Sequence, residues 1–252
     1  MKPSLQLPRV AKFAVLLALS IWVTSTRAAP PAASEESDEY ATPRVSDPLE
    51  PVNRALFKFN DGFYVHVLRP FAHGYELVVP SLVRRGIGNL FDNLKFPVRF
   101  VSCMLQARPG RATREMGKFL LNSTVGVAGL VRISDSVPQL AAVPSEDVGQ
   151  TFGVWGVGAG PYLVLPFLGP SSLRDTVGLA GNVMLNPVSW SATEHAVRGY
   201  DAMWPTSAQA VDFSNSSPDQ IRTYDSFKQA AVDPYISVRN GYLQYRAAAV
   251  KK

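Results

Sequence analysis

Beyond residue 28 this chain contains no uninterrupted run of ~20 apolar residues, the length a helix needs to cross the hydrocarbon of a bilayer. Nor do apolar and polar residues alternate over successive segments of about ten, the pattern of a transmembrane barrel. Yet 46% of the residues are hydrophobic and only 18% are charged, against roughly a quarter in an ordinary soluble domain. Little water-facing material and much apolar material point to an apolar partner. For a chain without a spanning element, that leaves helices lying in one leaflet with their apolar faces among acyl chains.

The N-terminus has its own logic. Lys2, Arg9 and Lys12 precede the apolar run Phe13 to Val23, with Thr26 and Ala28 placed as the small residues of a cleavage site. Residues 1–28 therefore read as a signal peptide, the run being short for a membrane anchor. That segment carries four basic residues and no acid, so its removal lowers the formal charge by four, from +5 to +1. The basic balance belongs to targeting and does not argue for nucleic acid. Residues 29–46, rich in Pro, Ala, Ser and Glu, read as a disordered linker, and 47–252 as one helical domain. The single cysteine, Cys103, lies in an apolar context and reads as inert packing. No cysteine follows the leader's apolar run, so a lipid-modified N-terminus is not expected.

Periodicity predicts a helix from Asn53 to Leu68, its apolar face including Leu56, Phe57, Phe59, Phe63 and Val67. A second runs from Ser81 toward Leu94, and Pro97 separates it from a third ending near Gln106. Pro109-Gly110 reads as a turn. Ala112, Met116, Phe119 and Leu120 form the inward stripe of the next helix, opposite Arg111, Arg114, Glu115 and Lys118. Gly126 and Gly129 interrupt an apolar segment, and Gly153 to Gly169 reads mostly as loop around a short extended Tyr162–Leu165. Helical signals return from Trp190 to Trp204. Ser217-Pro218-Asp219 and Asp233-Pro234 both look like helix starts.

No catalytic set emerges. His66 and His73 are seven apart with no Cys or close His beside them, and Glu194-His195 lacks the second histidine of a zinc-protease helix. Ser171 and Ser172 have no glycine two residues on, as a nucleophile elbow requires. The glycines at 153, 156, 158 and 160 do not fit a dinucleotide or phosphate loop. Neither an enzyme nor a cofactor is expected.

Asp47-Pro48-Leu49-Glu50-Pro51-Val52-Asn53-Arg54 through Asn60 closely resembles the opening of the VacJ/MlaA family of outer-membrane lipid-asymmetry proteins. Arg69-Pro70, Gly86-Ile87-Gly88-Asn89-Leu90, Phe119 to Gly126, Gly153 to Tyr162, Leu173-Arg174-Asp175 and Asp233-Pro234-Tyr235 with Arg239 and Tyr242 continue the likeness in order, from about Asp47 to Arg246. The resemblance implies a mainly α fold: a single ring-like helical domain in one membrane leaflet, with long Gly/Pro-rich loops and an amphipathic channel. It implies no enzyme, and removal of mislocalised phospholipid from the outer leaflet of the outer membrane to a soluble periplasmic lipid-carrier protein, beside a trimeric porin. This chain departs from the family in lacking a lipidation cysteine, so that either membrane attachment rests on the ring's apolar girdle or the start of the chain is misassigned, and in its short tail, which argues against tail-dependent docking of the carrier.

A headgroup crossing hydrocarbon needs polar company while its tails need apolar walls. Asn60, Asn122 and Arg174 are the expected headgroup-side residues, Phe57, Phe59 and Phe119 the apolar side, and Gly126 and Gly129 a hinge. A porin-bound scaffold that moves no lipid is the alternative, and a plugged centre would favour it. A periplasmic phospholipase ranks third.

Overall fold

Prolines mark where helices begin. Pro51, Pro97, Pro109 and Pro234 each sit in a first helical turn, where the missing N–H has no partner to lose. The computed structural model describes residues 46–141, 143–198 and 203–252. The expected leader and nearly all of the expected linker fall outside these.

Helix α1 (Glu50–Phe63) runs through a π-helical turn (Tyr64–Leu68) into α2 (Arg69–Val78). Pro70 cannot donate to the carbonyl four residues back, and the Arg69 amide bonds Tyr64, five back. Then follow α3 (Ser81–Leu94), α4 (Phe96–Leu105) and α5 (Pro109–Thr124), with Pro109 opening the helix instead of making the expected turn. After a 3-10 turn (Ile133–Ser136) and the short α6 (Pro138–Ala141) come α7 (Val148–Val154) and the antiparallel strands β1 (Tyr162–Leu165) and β2 (Gly169–Ser172). The chain ends in α8 (Leu173–Leu185), α9 (Pro187–Arg198), α10 (Met203–Ala230) and α11 (Pro234–Lys251). Helix α4 packs on α5, α7 on α8, α10 on α2 and α3, α11 on α7, and β1 on α1. The fold is mainly α, and none of the described helices is long and apolar enough to cross a membrane.

Two further expectations about the elements change. The Gly153–Gly169 segment is more ordered than a loop: its second half is a hairpin with Tyr162 opposite Ser172 and Leu165 opposite Gly169. Second, Ser217-Pro218 does not start a helix but lies inside α10. Pro218 cannot donate to the Ser214 carbonyl, and the Ser217 hydroxyl donates there instead, at 2.8 Å.

Burial runs against the soluble pattern. Among the described residues, eighteen buried ones are polar or charged and twelve are apolar, while thirty-one large hydrophobic side chains are exposed. Helix α5 shows this on its own. Its expected solvent side carries Glu115, which is fully buried and holds Arg99 at 2.7 Å and Lys118 at 3.5 Å, whereas Leu120, assigned inward, is half exposed. Leu77, Val78, Leu82 and Val83 stand exposed at the corner between α2 and α3, and Leu173, Val177 and Met184 line an outer face of α8. An apolar area of this extent marks a lipid or protein contact surface.

Glu115→Ala leaves the buried Arg99 guanidinium without its main partner and should lower stability by about 3–5 kcal/mol. Leu120→Ser should change it by less than about 0.5 kcal/mol. Denaturant unfolding of the detergent-solubilised protein compares the two, and the opposite ranking would mean that α5 is turned the other way.

Candidate functional site

The hairpin sits where it does because of two asparagines. Asn53 donates to the Tyr162 carbonyl at 2.9 Å and accepts from the Val164 amide at 3.0 Å. Asn60 repeats the pattern, donating to Leu165 at 2.9 Å and accepting from Phe167 at 2.8 Å. Seven residues of helix advance roughly 10.5 Å, and the three residues of extended chain between the bracketed positions advance roughly 10 Å. One face of α1 thus serves as a substitute strand edge. Asn60 fixes the turn Pro166-Phe167-Leu168, in which Phe167 adopts a left-handed φ of 63° and stands half exposed. Phe59 and Phe63 meet the Phe167 ring edge-on, with centroids 5.2 and 4.9 Å away.

That turn forms one wall of an open cleft of about 870 Å³. The second wall is α10, which presents Phe213, Gln220, Tyr224 and Phe227 along one face, and the third is α11 with Val238, Tyr242 and Tyr245. Seven of the fifteen lining residues are aromatic, and Ser216, Asp219, Gln220 and Thr223 make a polar strip. A site this size, with apolar walls and few polar groups, suits an amphipathic ligand. A smaller cavity of about 260 Å³ beside α3, α4, α8 and α9 has Asp92, Lys95, Arg99 and Asp147 among its lining residues, with Val98, Leu179 and Val183.

Beneath the cleft lies an ionic cluster. Arg246 of α11 bonds Asp175 at 2.8 and 2.9 Å and Asp147 at 2.6 and 3.0 Å, while Tyr242 and Arg174 also donate to Asp175, at 2.7 and 3.0 Å. Burial opposes ionisation of Asp175, but the hydrogen bonds from Arg246, Arg174 and Tyr242 outweigh it and hold the carboxyl far below the usual carboxylate range. Asp147, which caps α7, is lowered in the same way by Arg246 and Gln150 against its burial. Burial, together with the bond to Asp175, pushes the Tyr242 phenol up.

Of the expected site residues, Asn60 and Phe59 meet at the hairpin turn, and Phe57 lies edge-on to Tyr235 at 5.7 Å in the core under β1. The others are elsewhere. Asn122 is buried, donating to the Ser134 hydroxyl and accepting from the Ser134 amide. Arg174 is buried beside Asp175, and Phe119 stacks on Phe96 at 4.4 Å. None of the six is among the cleft-lining residues. Gly126 and Gly129 close a turn that is crowded and well bonded. A Cβ on Gly126 would lie 2.2 Å from the Val131 carbonyl, and Gly129 has a φ of 94°. The Val131 amide bonds Gly126, the Gly129 amide bonds Asn122 and Asn89 bonds Leu130, so a hinge here would have to break all three. Ser172 caps α8 and Ser171 bonds Thr176. His66 and His73 are exposed, and the His195 side chain is outside the described residues.

The chain matches the family model described as MlaA lipoprotein over residues 45–249. The chain belongs to the MlaA lipoprotein family. It is 32% identical over 204 residues to the Escherichia coli (strain K12) intermembrane phospholipid transport system lipoprotein MlaA, covering 79% of this chain and 76% of that protein. It is 29% identical over 200 residues to the protein of the same name from Haemophilus influenzae, covering 79% and 77%. A solved structure described as the structural basis for maintenance of bacterial outer membrane lipid asymmetry matches with a TM-score of 0.65 and 30% identity, covering 82% of this chain and all of that one. In this MlaA family member the end motifs meet. Asp47 accepts hydrogen bonds from Asn53 and Tyr235 and lies 3.6 Å from Arg239, and Arg54 reaches Asp233 at 3.0 Å.

A helix start at Ser217-Pro218 cuts the Phe213–Phe227 face in two, which hides the cleft wall from the sequence. The i, i+7, i+11, i+14 spacing of 213, 220, 224 and 227 across that proline was the available signal.

Asn60→Ala removes both bonds to the turn and should cost about 1–3 kcal/mol. Amide hydrogen exchange at Phe167 and Leu168 should rise while that of α1 holds, and unchanged exchange at the turn would refute the bracket. Because Asp147 and Asp175 are depressed in the folded state, their contribution is present above the unfolded carboxylate range and is lost as pH falls below about 4. Arg246→Met uncovers both carboxylates, so the acid-unfolding midpoint should move to higher pH; a midpoint that stays put would show that Arg246 does not stabilise them.

Proposed function

We propose that this chain removes phospholipid from the outer leaflet of the outer membrane by binding it in the aromatic cleft and passing it to a soluble carrier in the periplasm. The supporting observation is one combination: an exterior rich in exposed aliphatic side chains, an interior held by ion pairs, and an open cleft with apolar walls and a polar strip. The named relatives are phospholipid transport lipoproteins, and the matched structure concerns outer-membrane lipid asymmetry.

The physical task is to lower the barrier for a charged headgroup that must leave one leaflet. Phe167, Leu168, Phe213 and Phe227 offer acyl chains a surface as apolar as the membrane, and the strip from Ser216 to Thr223 keeps the headgroup near polar groups and water. Lipid then moves with its two ends solvated separately. In this reading Asn60, Phe59 and Phe57 set the hairpin wall, while Asn122, Arg174 and Phe119 hold the helices behind it. The exposed corner at Leu77–Val83 and the outer face of α8 seat the chain in one leaflet as part of a helical ring, beside a trimeric porin. The openness of the cleft favours transport over a scaffold with a filled centre, and no bond is made or broken in the lipid.

Phe227→Asp puts a charge on the apolar wall at a half-exposed position and should leave folding intact. Expressed in a strain lacking its own family member, the variant should fail to clear outer-leaflet phospholipid, measured by accessibility of the headgroups to an external reagent, where the parent chain clears it. Full clearance by the folded variant would remove the cleft from the pathway. Release of free fatty acid by the purified protein would instead favour a hydrolase.

A further inference from the structure

The polar lining of the cleft has an unusual composition. None of its fifteen residues is Lys, Arg or His. Most of its hydroxyls are already used: Ser216 donates to the Phe213 carbonyl at 3.1 Å, Thr223 to the Asp219 carbonyl at 2.8 Å, Tyr224 to Asp61 at 2.6 Å and Tyr242 to Asp175 at 2.7 Å. The charges around it are also matched, Asp219 with Arg222, Asp61 with Lys228 at 2.5 Å, and Asp175 with Arg246. A phosphate needs donors or a cation, and this cleft keeps almost none in reserve. What it offers a ligand is aromatic faces and acceptor oxygens, the two groups that attract an ammonium. The chain contains its own instance, with the Lys228 ammonium 5.8 Å from the centroid of the Tyr224 ring that lines the cleft.

We propose that the cleft selects phospholipids whose headgroup ends in an ammonium, as in ethanolamine or choline, over headgroups such as glycerol that leave the lipid net anionic. This rests on the reading that phospholipid occupies the cleft. The ammonium lies against Tyr245 and Phe213 and toward Oδ2 of Asp219, whose Oδ1 Arg222 holds, while the phosphate stays at the open rim in water. A zwitterionic lipid brings no net charge to a neutral cleft. A headgroup ending in glycerol has no cation to place against those rings and acceptor oxygens, and gains nothing there.

The purified detergent-solubilised chain is mixed with vesicles containing equal amounts of phosphatidylethanolamine and phosphatidylglycerol with identical acyl chains. Bound lipid is then extracted and quantified by mass spectrometry. The ethanolamine lipid should be enriched about threefold to fivefold, the factor expected of a partly exposed cation–π contact. Asp219→Asn and Tyr245→Leu, both at well-exposed positions that tolerate change, should each bring the ratio closer to one. Gly241→Trp, which fills the cleft from α11, locates the lipid. If it lowers total bound lipid while the parent chain takes both lipids equally or prefers the glycerol lipid, the headgroup preference is overturned and the cleft reading stands. If bound lipid is unaffected by Gly241→Trp, the cleft is not the binding site and both fall.

Discussion

The Arg246 guanidinium, spread over the buried Asp175 carboxylate and the partly exposed Asp147 carboxylate, is the contact on which the rest of the structure depends. It ties α11 to the cap of α7 through Asp147 and to the first turn of α8 through Asp175. Similar pairings recur through the molecule, Arg99 with Glu115 and Glu146 with Arg108 and Arg111. A soluble domain would fill such positions with Leu and Ile. Here they are ionic because the outer faces are apolar: when the surroundings are as apolar as a leucine side chain, helices gain little from burying leucine against one another. Polar pairs, costly to expose to lipid, then decide which faces turn inward.

The same constraint accounts for the inverted face of α5. On periodicity alone, Met116, Phe119 and Leu120 make an apolar stripe, and the rule that such a stripe faces the core assumes water outside. Glu115 is inside because Arg99 of α4 is there to meet it, and Leu120 is outside because the exterior carries many other exposed aliphatic groups. Helix positions were therefore legible in the sequence, from the prolines that open α1, α4 and α11, but the orientation of α5 was not. The low charge content did signal that the usual assumption was unsafe.

Asn60 shows a further limit. A polar residue on an otherwise apolar helix face is expected to touch ligand, but Asn60 is buried and does not line the cleft. Its amide nitrogen holds the Leu165 carbonyl and its oxygen the Phe167 amide. Distinguishing a ligand contact from a backbone bracket requires knowing that Asn53, seven residues earlier, does the same for β1, and that pairing joins residues more than a hundred positions apart.

The residues that carried the family likeness and those that line the cleft are largely different sets. Asp47, Asn53, Arg54, Asn122, Arg174, Asp175, Asp233, Tyr235 and Arg239 belong to motif blocks and are engaged in hydrogen bonds or ion pairs, whereas Phe213, Gln220 and Phe227 stand outside those blocks. The tolerances of the two tasks explain the division. A buried ion pair works only with both partners present at about 3 Å, and losing one leaves a charge in a place it cannot be solvated. An apolar wall needs area and no directional bond, so many side chains serve equally well. Motifs therefore trace the frame that holds the cleft open, and the cleft becomes visible only once that frame has brought α1, the hairpin, α10 and α11 together.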